Sequence, residues 1–198
     1  MDRETIGKCT NTIMFNEINE EPKTIINTVH AISHQVSSAV DLIRDSKLVY
    51  VVGSGTSYHA GIVFQIGLLK QNIPSVAVRA PEFIHFIPKE GNEITVILIS
   101  QSGESRDIID SLKICKDRKY NTIGITNNGK SRLANETLLS IVTDAGEEKS
   151  LAATKSHIAQ LTAIYLVLEV IGRPDSINTS MQNCIDLSVC GFTMNIKK

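Results

Sequence analysis

Five short apolar segments, separated by stretches of helical periodicity, most constrain how this sequence folds. They are rich in β-branched residues and run apolar without polar alternation: LVYVVG, SVAVRA, EITVILIS, YNTIGIT and a segment within NETLLSIVTDAG. Strands of this kind, alternating with helices, are typical of a parallel sheet that helices cover on both faces. We therefore predict an α/β fold built on a parallel sheet.

Helical periodicity sets the predicted boundaries of the domain. Apolar residues recur at helical spacing from Thr24 to Ile43, and Pro22 is expected near the start of this helix. At the other end, a long apolar helix is expected to end before Pro174. The length of 198 residues suits one good-sized domain. We predict an N-terminal extension (1–21), one domain (22–174) and a C-terminal tail or start of a connector (175–198).

Composition and charge argue against several classes of partner. The formal net charge is -1 and no cluster of Lys or Arg stands out, which argues against nucleic-acid binding. The longest apolar patch, AIYLVLEVIG, is interrupted by Glu169 and is too short to span a bilayer. The first residues lack the apolar core of a signal peptide. We expect a cytoplasmic protein without a membrane partner.

The cysteines indicate reduced thiols rather than disulfides or a metal site. They form no CxxC motif and show no metal-type spacing; they are Cys9, Cys115, Cys184 and Cys190. Cys115 falls on the apolar side of a predicted helix, where we expect a buried thiol. We predict no metal and no cofactor.

The first candidate site follows the first predicted strand. Ligands of open parallel sheets bind at the carboxyl ends of the strands. Here GSGTSYHAG offers Gly55 for a tight turn and the hydroxyls of Thr56 and Ser57 at a helix N-terminus, which favours an anion. A dinucleotide fingerprint is disfavoured, because Tyr58 replaces its third glycine and Arg79 stands where an acidic residue is needed. A glycine turn with a Ser/Thr helix cap and no ligand is the alternative.

The second candidate site follows the third strand, in ISQSGESRD. Ser100, Ser102 and Ser105 surround Gly103 at the start of a helix, and three hydroxyls with free backbone amides suit a phosphate monoester. The alternative is an ordinary capping box with Ser102 as the N-cap, although one cap explains only one hydroxyl.

The third candidate site, TDAGEEKSLAATKSH, follows the fifth strand and again joins a glycine to hydroxyls near a helix start. Glu147 and Glu148 are either a solvated loop or a carboxylate aimed at a sugar hydroxyl. Three such loops at one edge of a sheet predict a crevice for a small polyhydroxylated phosphate, such as a sugar phosphate.

In this order and spacing, GSGTSYHAG, SQSGES and DAGEEKSLAATKS resemble the SIS (sugar isomerase) domain family. Within that family, the sequence looks similar to the first SIS domain in the isomerase part of glutamine–fructose-6-phosphate aminotransferases, which RAPEFIHF resembles too. The resemblance covers about Pro22 to Gly172. It implies a flavodoxin-like, three-layer αβα sandwich with a five-stranded parallel sheet, assembled as a homodimer or a higher oligomer.

The resemblance also implies which residues bind a sugar phosphate. The substrate-binding positions are Gly55, Thr56, Ser57, Ser100, Gln101, Ser102, Gly103, Ser105, Leu151 and Lys155. The branch further carries a glutaminase domain, and a second SIS domain that holds the catalytic glutamate and the ring-opening histidine. We expect neither in this sequence, since no glutaminase fits before Pro22 and no second set of motifs follows Pro174.

Catalysis is the least constrained part of the prediction. An aldose–ketose isomerase needs a base that moves a proton between C1 and C2 and a donor to the carbonyl oxygen. Glu82, His59 and Glu148 are the catalytic candidates, and Glu104 is expected to serve a helix dipole instead. His85 is either a second candidate for ring opening or a histidine packed between apolar neighbours. The sequence leaves three hypotheses: a sugar-phosphate isomerase, a non-catalytic regulatory binding domain, and the isolated first half of a two-domain isomerase.

Overall fold

A computed structural model describes residues 12–86 and 93–173 of the chain. In chain order the elements are α1 (Ile13–Arg44), β1 (Leu48–Gly53), α2 (Thr56–Lys70), β2 (Ser75–Arg79), α3 (Ala80–Phe86), β3 (Ile94–Ile99), α4 (Arg106–Asp117), β4 (Asn121–Thr126), α5 (Arg132–Glu136), β5 (Leu139–Val142) and α6 (Lys155–Gly172). The strands form one sheet in the order β2-β1-β3-β4-β5, and every pairing is parallel. This is the flavodoxin-like order.

The sheet is buried on both faces by two hydrophobic clusters. Along β1, Val49 and Val51 pack into the cluster formed with α1, α2 and α6, whereas Tyr50 and Val52 pack into the cluster formed with α3, α4 and α5. Successive side chains of a strand point to opposite faces, so a strand covered on both sides must be apolar throughout. The predicted three-layer αβα sandwich with a five-stranded parallel sheet is therefore confirmed.

The first helix begins earlier than the sequence indicated. α1 starts at Ile13, and Pro22 lies inside it rather than near its start. The Thr12 hydroxyl caps the new start by accepting the Phe15 amide at 3.2 Å. Glu17, one turn further on, is buried against the loop before α6. A proline removes one helical hydrogen bond, and here a cap and a tertiary contact carry the helix past it. The predicted domain limits remain predictions, and residues 1–11 and 174–198 lie outside the described residues.

One short helix was missed. α5 spans only five residues, too few for apolar periodicity to show, and Ser131 caps it by accepting the Ala134 amide at 3.2 Å.

Cys115 has a free, buried thiol as predicted, and burial raises its pKa to about 12. The other three cysteines fall outside the described residues. Among the described helices, none is long and apolar enough to cross a membrane.

Candidate functional site

The predicted crevice lies where the strand order reverses. Gly53, the last residue of β1, is in register with Ile99, the last residue of β3. The chain leaves β1 and β3 at the same edge of the sheet, so the loops that follow these two strands are neighbours. This edge, at the point where β2 and β3 flank β1, is where open parallel sheets bind their ligands.

The loop after β3 folds tightly on itself. The buried Ser100 hydroxyl accepts the Gly103 amide at 3.1 Å and lies 3.2 Å from the Ser105 hydroxyl. The Ser102 hydroxyl accepts the Glu104 amide at 3.2 Å. Three serine side chains are thus gathered within one short loop, and Ser105 is exposed at its end. We call residues 100–105 the serine loop.

The serine loop does not cap the helix in the ordinary way. The N-cap of α4 is Ser105 rather than Ser102, and its side chain makes no cap hydrogen bond. The alternative of a capping box with Ser102 as N-cap is therefore wrong. The N-terminus of α4 keeps amides that no side-chain cap satisfies, which suits an anion.

Gly103 fixes the conformation of the serine loop. Its φ is +67, and a Cβ here would lie 2.2 Å from the Ser131 Oγ and 2.9 Å from the Thr126 Oγ1. Only glycine fits such a backbone at such close range. The carbonyl of the preceding Gln101 accepts the Asn127 amide at 3.0 Å and the Thr126 hydroxyl at 3.1 Å. The loop is therefore held rigidly against the end of β4.

The loop after β1 begins α2 without a side-chain cap. Its N-cap is Gly55, with φ +56, so the alternative of a Ser/Thr cap is not observed. Thr56 is exposed, whereas Ser57 is buried and its hydroxyl accepts the Gln160 Nε2 of α6 at 3.0 Å. Sequence reasoning missed Gln160, although a lone amide in the apolar stretch IAQLTAIYLVLEV was a signal.

A cavity of about 280 Å³ opens beside the loop after β1. Its lining includes Gly55 and His59 as well as Arg79, whose guanidinium lies 5.3 Å from the centre of the Tyr58 ring. Glu82 is exposed and lies 3.9 Å from the same guanidinium. His59 is therefore the catalytic candidate that shares a cavity with a predicted substrate-binding residue, Gly55.

The Glu148 carboxylate closes the N-terminus of α6. It accepts the Thr154 amide at 2.7 Å, the Ser156 amide at 3.2 Å and the Ser156 hydroxyl. Glu104 plays a similar part elsewhere, since it accepts the Arg132 amide at the start of α5 at 2.7 Å. Glu104 was expected to serve a helix dipole, but the helix it serves is α5 and not its own α4. Both carboxylates thus satisfy helix amides.

The two remaining predicted substrate-binding residues, Lys155 and Leu151, follow β5. The Lys155 ammonium is buried and lies 2.6 Å from the Glu20 carboxylate of α1. It lines a separate cavity of about 390 Å³ between α1 and the loop after β5. Leu151 is fully exposed. The loops after β1 and β3 thus lie at the same edge of the sheet, whereas the Lys155 ammonium pairs with Glu20 of α1.

His157, in the first turn of α6, was also missed. Its Nδ1 is buried and has no partner among the described residues. Burial lowers its pKa, and the neighbouring His59 lowers it further, whereas Glu148 raises it. His85 is exposed, so of its two alternatives the packed histidine is not observed.

The sequence pattern of the SIS domain matches residues 42–170. The chain belongs to the SIS domain family. A relative, the glutamine–fructose-6-phosphate aminotransferase (isomerizing) of Sulfurisphaera tokodaii, is 34% identical over 161 residues, which are 80% of this chain and 27% of that protein. The chain thus spans about a quarter of the length of that relative.

Two solved structures place this SIS domain among its structural neighbours. The C-terminal domain of glucosamine-fructose-6-phosphate aminotransferase from Francisella tularensis aligns with a TM-score of 0.78 and 25% identity, over 90% of this chain and 55% of that chain. The Vibrio vulnificus NanR protein complexed with ManNAc-6P aligns with a TM-score of 0.68 and 14% identity, over 92% of this chain and 70% of that one. The second likeness concerns the fold alone.

Proposed function

We propose that this SIS domain binds the phosphate monoester of a phosphorylated sugar at the serine loop. The observation that supports this most directly is the serine loop itself. It gathers Ser100, Ser102 and Ser105 at the N-terminus of α4, and the N-cap side chain of α4 makes no cap hydrogen bond. Hydroxyls and unsatisfied backbone amides together can bind a phosphate by hydrogen bonding, without a lysine.

The sugar is proposed to extend from the serine loop toward the loop after β1. Thr56 and Ser57 begin the helix that follows β1, the strand that pairs with β3, so both residues lie at the same edge of the sheet as the serine loop. The Sulfurisphaera relative is named for fructose 6-phosphate, and the NanR structure is a complex with ManNAc-6P. Ligands of the fructose 6-phosphate and glucosamine 6-phosphate type are therefore the first to test.

We further propose that the domain serves aldose–ketose isomerisation as the ligand-binding half of a larger enzyme. Glu104 and Glu148 accept hydrogen bonds from helix amides, and Glu82 is exposed beside Arg79, so each of these three carboxylates already has a partner. This favours binding over complete catalysis by the described residues. The same observation supports the alternative, a non-catalytic regulatory domain.

Calorimetric titration of the chain with fructose 6-phosphate, glucosamine 6-phosphate and unphosphorylated fructose tests the proposal. We expect both phosphates to bind, and Ser100→Ala or Ser102→Ala to weaken them about tenfold, the loss of one hydrogen bond to a charged group. Ser38→Ala, at an exposed position of α1, is the matched control. Absence of phosphate-dependent binding, or equal effects of all three substitutions, would refute the proposal.

An NMR assay of the interconversion of fructose 6-phosphate and glucosamine 6-phosphate, with ammonium supplied as the nitrogen source, separates the hypotheses. Binding without turnover favours the regulatory domain or the isolated half, whereas turnover that His59→Gln abolishes assigns chemistry to this chain. The cytoplasmic location and the homodimer or higher oligomer remain predictions, and light scattering on the purified chain tests the oligomer.

A further inference from the structure

The hydrogen bond between Ser57 and Gln160 joins the predicted sugar-phosphate site to α6. Gln160 is only 3% exposed and Ser57 only 7%, and the Gln160 Nε2 donates to the Ser57 Oγ at 3.0 Å. This contact spans 103 residues of sequence and holds the first turn of α2 against the second turn of α6.

The direction of this hydrogen bond determines what Ser57 offers to a ligand. A serine hydroxyl has one proton and two lone pairs. When the Gln160 amide occupies a lone pair, the single proton of Ser57 is left to donate elsewhere. Within the described residues, the Ser57 hydroxyl makes no second hydrogen bond that would use this proton. A donor is what a phosphate or a sugar oxygen requires.

Unsatisfied polar atoms concentrate at the same junction. Within the described residues, three buried side-chain atoms have no hydrogen-bond partner: Ser54 Oγ, His157 Nδ1 and Gln160 Oε1. Ser54 precedes the first turn of α2, and the other two lie three positions apart on α6. Buried polar groups are almost always paired, so a cluster of unpaired ones indicates a place built for more than packing.

We infer that Gln160 is a positioning residue of the sugar-phosphate site: its amide holds Ser57 with the hydroxyl proton directed at the ligand. The inference rests on the proposed function. It assigns to a buried residue of α6 a role in affinity that no ligand contact would reveal, because Gln160 acts through Ser57.

The chain offers a matched control on the same pair of helices. Gln71, at the end of α2, donates its Nε2 to the Leu168 carbonyl of α6 at 2.7 Å. Gln71→Met and Gln160→Met therefore remove the same chemical group and one helix–helix hydrogen bond each, at opposite ends of the same helix pair. A purely structural role predicts the same effect on binding for both.

The experiment is calorimetric titration of the full chain with fructose 6-phosphate in a double-mutant cycle. We expect Gln160→Met and Ser57→Ala each to weaken binding about tenfold, the double variant to be no weaker than Ser57→Ala, and Gln71→Met to stay within about twofold of the wild type. Circular dichroism and thermal melting confirm that each variant is folded.

A charged variant tests the direction of the hydrogen bond. In Gln160→Glu the ionised carboxylate accepts the Ser57 proton, so Ser57 no longer donates to the ligand. We expect binding weaker than in Gln160→Met at pH 7.5, recovering relative to the wild type as the pH falls toward about 5 and the new carboxyl becomes protonated. Taking the ratio to wild type cancels the ionisation of the phosphate itself. If Gln160→Met does not fold, the pH dependence of binding by Gln160→Glu tests the inference by itself.

Three results would overturn the inference: equal losses in Gln160→Met and Gln71→Met, additive losses in the double variant, or a Gln160→Glu affinity ratio that is flat with pH. The proposed function survives these results so long as Ser102→Ala still weakens binding. If the wild type does not bind fructose 6-phosphate, the proposed function fails first and the inference fails with it.

Discussion

The Glu17 carboxylate accepts the Lys149 backbone amide at 2.5 Å, although 132 residues separate the two. It also accepts the amide and the hydroxyl of Ser150. The start of α1 and the loop after β5 therefore form one structural unit. The Lys149 amide and the Ser150 hydroxyl hold the pKa of Glu17 below its usual range, against the opposing effect of burial.

Glu17→Gln is expected to lower the free energy of unfolding by about 2 kcal/mol at pH 7, because it removes a charged acceptor of several hydrogen bonds. The pKa of Glu17 is lower in the folded state than in the unfolded state, where it is near 4.5. Its stabilisation is therefore complete above about pH 4.5 and is lost as the pH falls through the folded pKa. Urea denaturation across this pH range measures it.

The control for this prediction is Glu93→Gln, which removes an exposed ion pair with Lys47. We expect little change from it, as for most surface ion pairs. Equal losses from Glu17→Gln and Glu93→Gln, or a Glu17 effect that persists unchanged in acid, would contradict the role assigned to Glu17.

The sequence predicted those features of the fold and the site that depend on residues close together in the chain. β1 was predicted with its observed bounds because a strand buried on both faces must be apolar throughout. The serine loop was predicted because hydroxyls and a glycine interrupt such a strand abruptly. Glu17 and Gln160 were missed, because their roles depend on contacts 132 and 103 residues away that no local pattern contains. Pro22 was wrongly expected near the start of the first helix for the same reason, because the Glu17 contact that holds the earlier turns is distant in sequence.

Gly103→Ala is expected to destabilise the fold by at least about 2 kcal/mol and to abolish tight phosphate binding. The alanine would have to adopt a φ of +67, and its Cβ would lie 2.2 Å from the Ser131 Oγ, so both the backbone and the neighbouring side chain must move. Gly55→Ala is the comparison, since its φ is +56 and no atom lies within 4 Å of the added carbon. The backbone of Gly55, at φ +56 and ψ -129, lies outside the left-handed helical region, so alanine is strained there by about 1–3 kcal/mol. No clash adds to this strain, so the total should stay below that of Gly103→Ala. Urea denaturation that ranks the two variants in the opposite order would contradict this account.

Glu148→Gln is expected to destabilise the first turn of α6 by about 1 kcal/mol, because a carboxylate accepting helix amides is replaced by a neutral acceptor. The neighbouring Glu147→Gln is a close control, since Glu147 is exposed and lies 3.4 Å from the Lys149 ammonium. Thermal melting compares the two. If Glu148→Gln abolished sugar-phosphate interconversion and left the melting temperature unchanged, Glu148 would be a catalytic base rather than a helix cap.

Cys115 is expected to be unreactive in the folded protein. Burial raises its pKa to about 12, so almost none of it is thiolate at pH 8. In a variant with Cys9, Cys184 and Cys190 replaced by serine, a thiol reagent such as Ellman's reagent should react only as fast as the protein unfolds. Adding urea to the transition midpoint should accelerate labelling sharply. Stoichiometric labelling within seconds under native conditions would show that the thiol is accessible.

His157 is expected to titrate below the ordinary histidine value of about 6.5, because burial and then the nearby His59 disfavour its charged form. The unfolded chain then binds a proton at higher pH than the folded chain does. Its contribution to stability is complete above about pH 6.5 and is lost as the pH falls through the folded pKa. Removing the neighbouring charge with His59→Gln should raise the His157 pKa, whereas Glu148→Gln should lower it further, because the glutamate favours the imidazolium. NMR titration of the histidine ring resonances measures each value, and a His157 pKa that neither substitution moves would show that burial alone sets it.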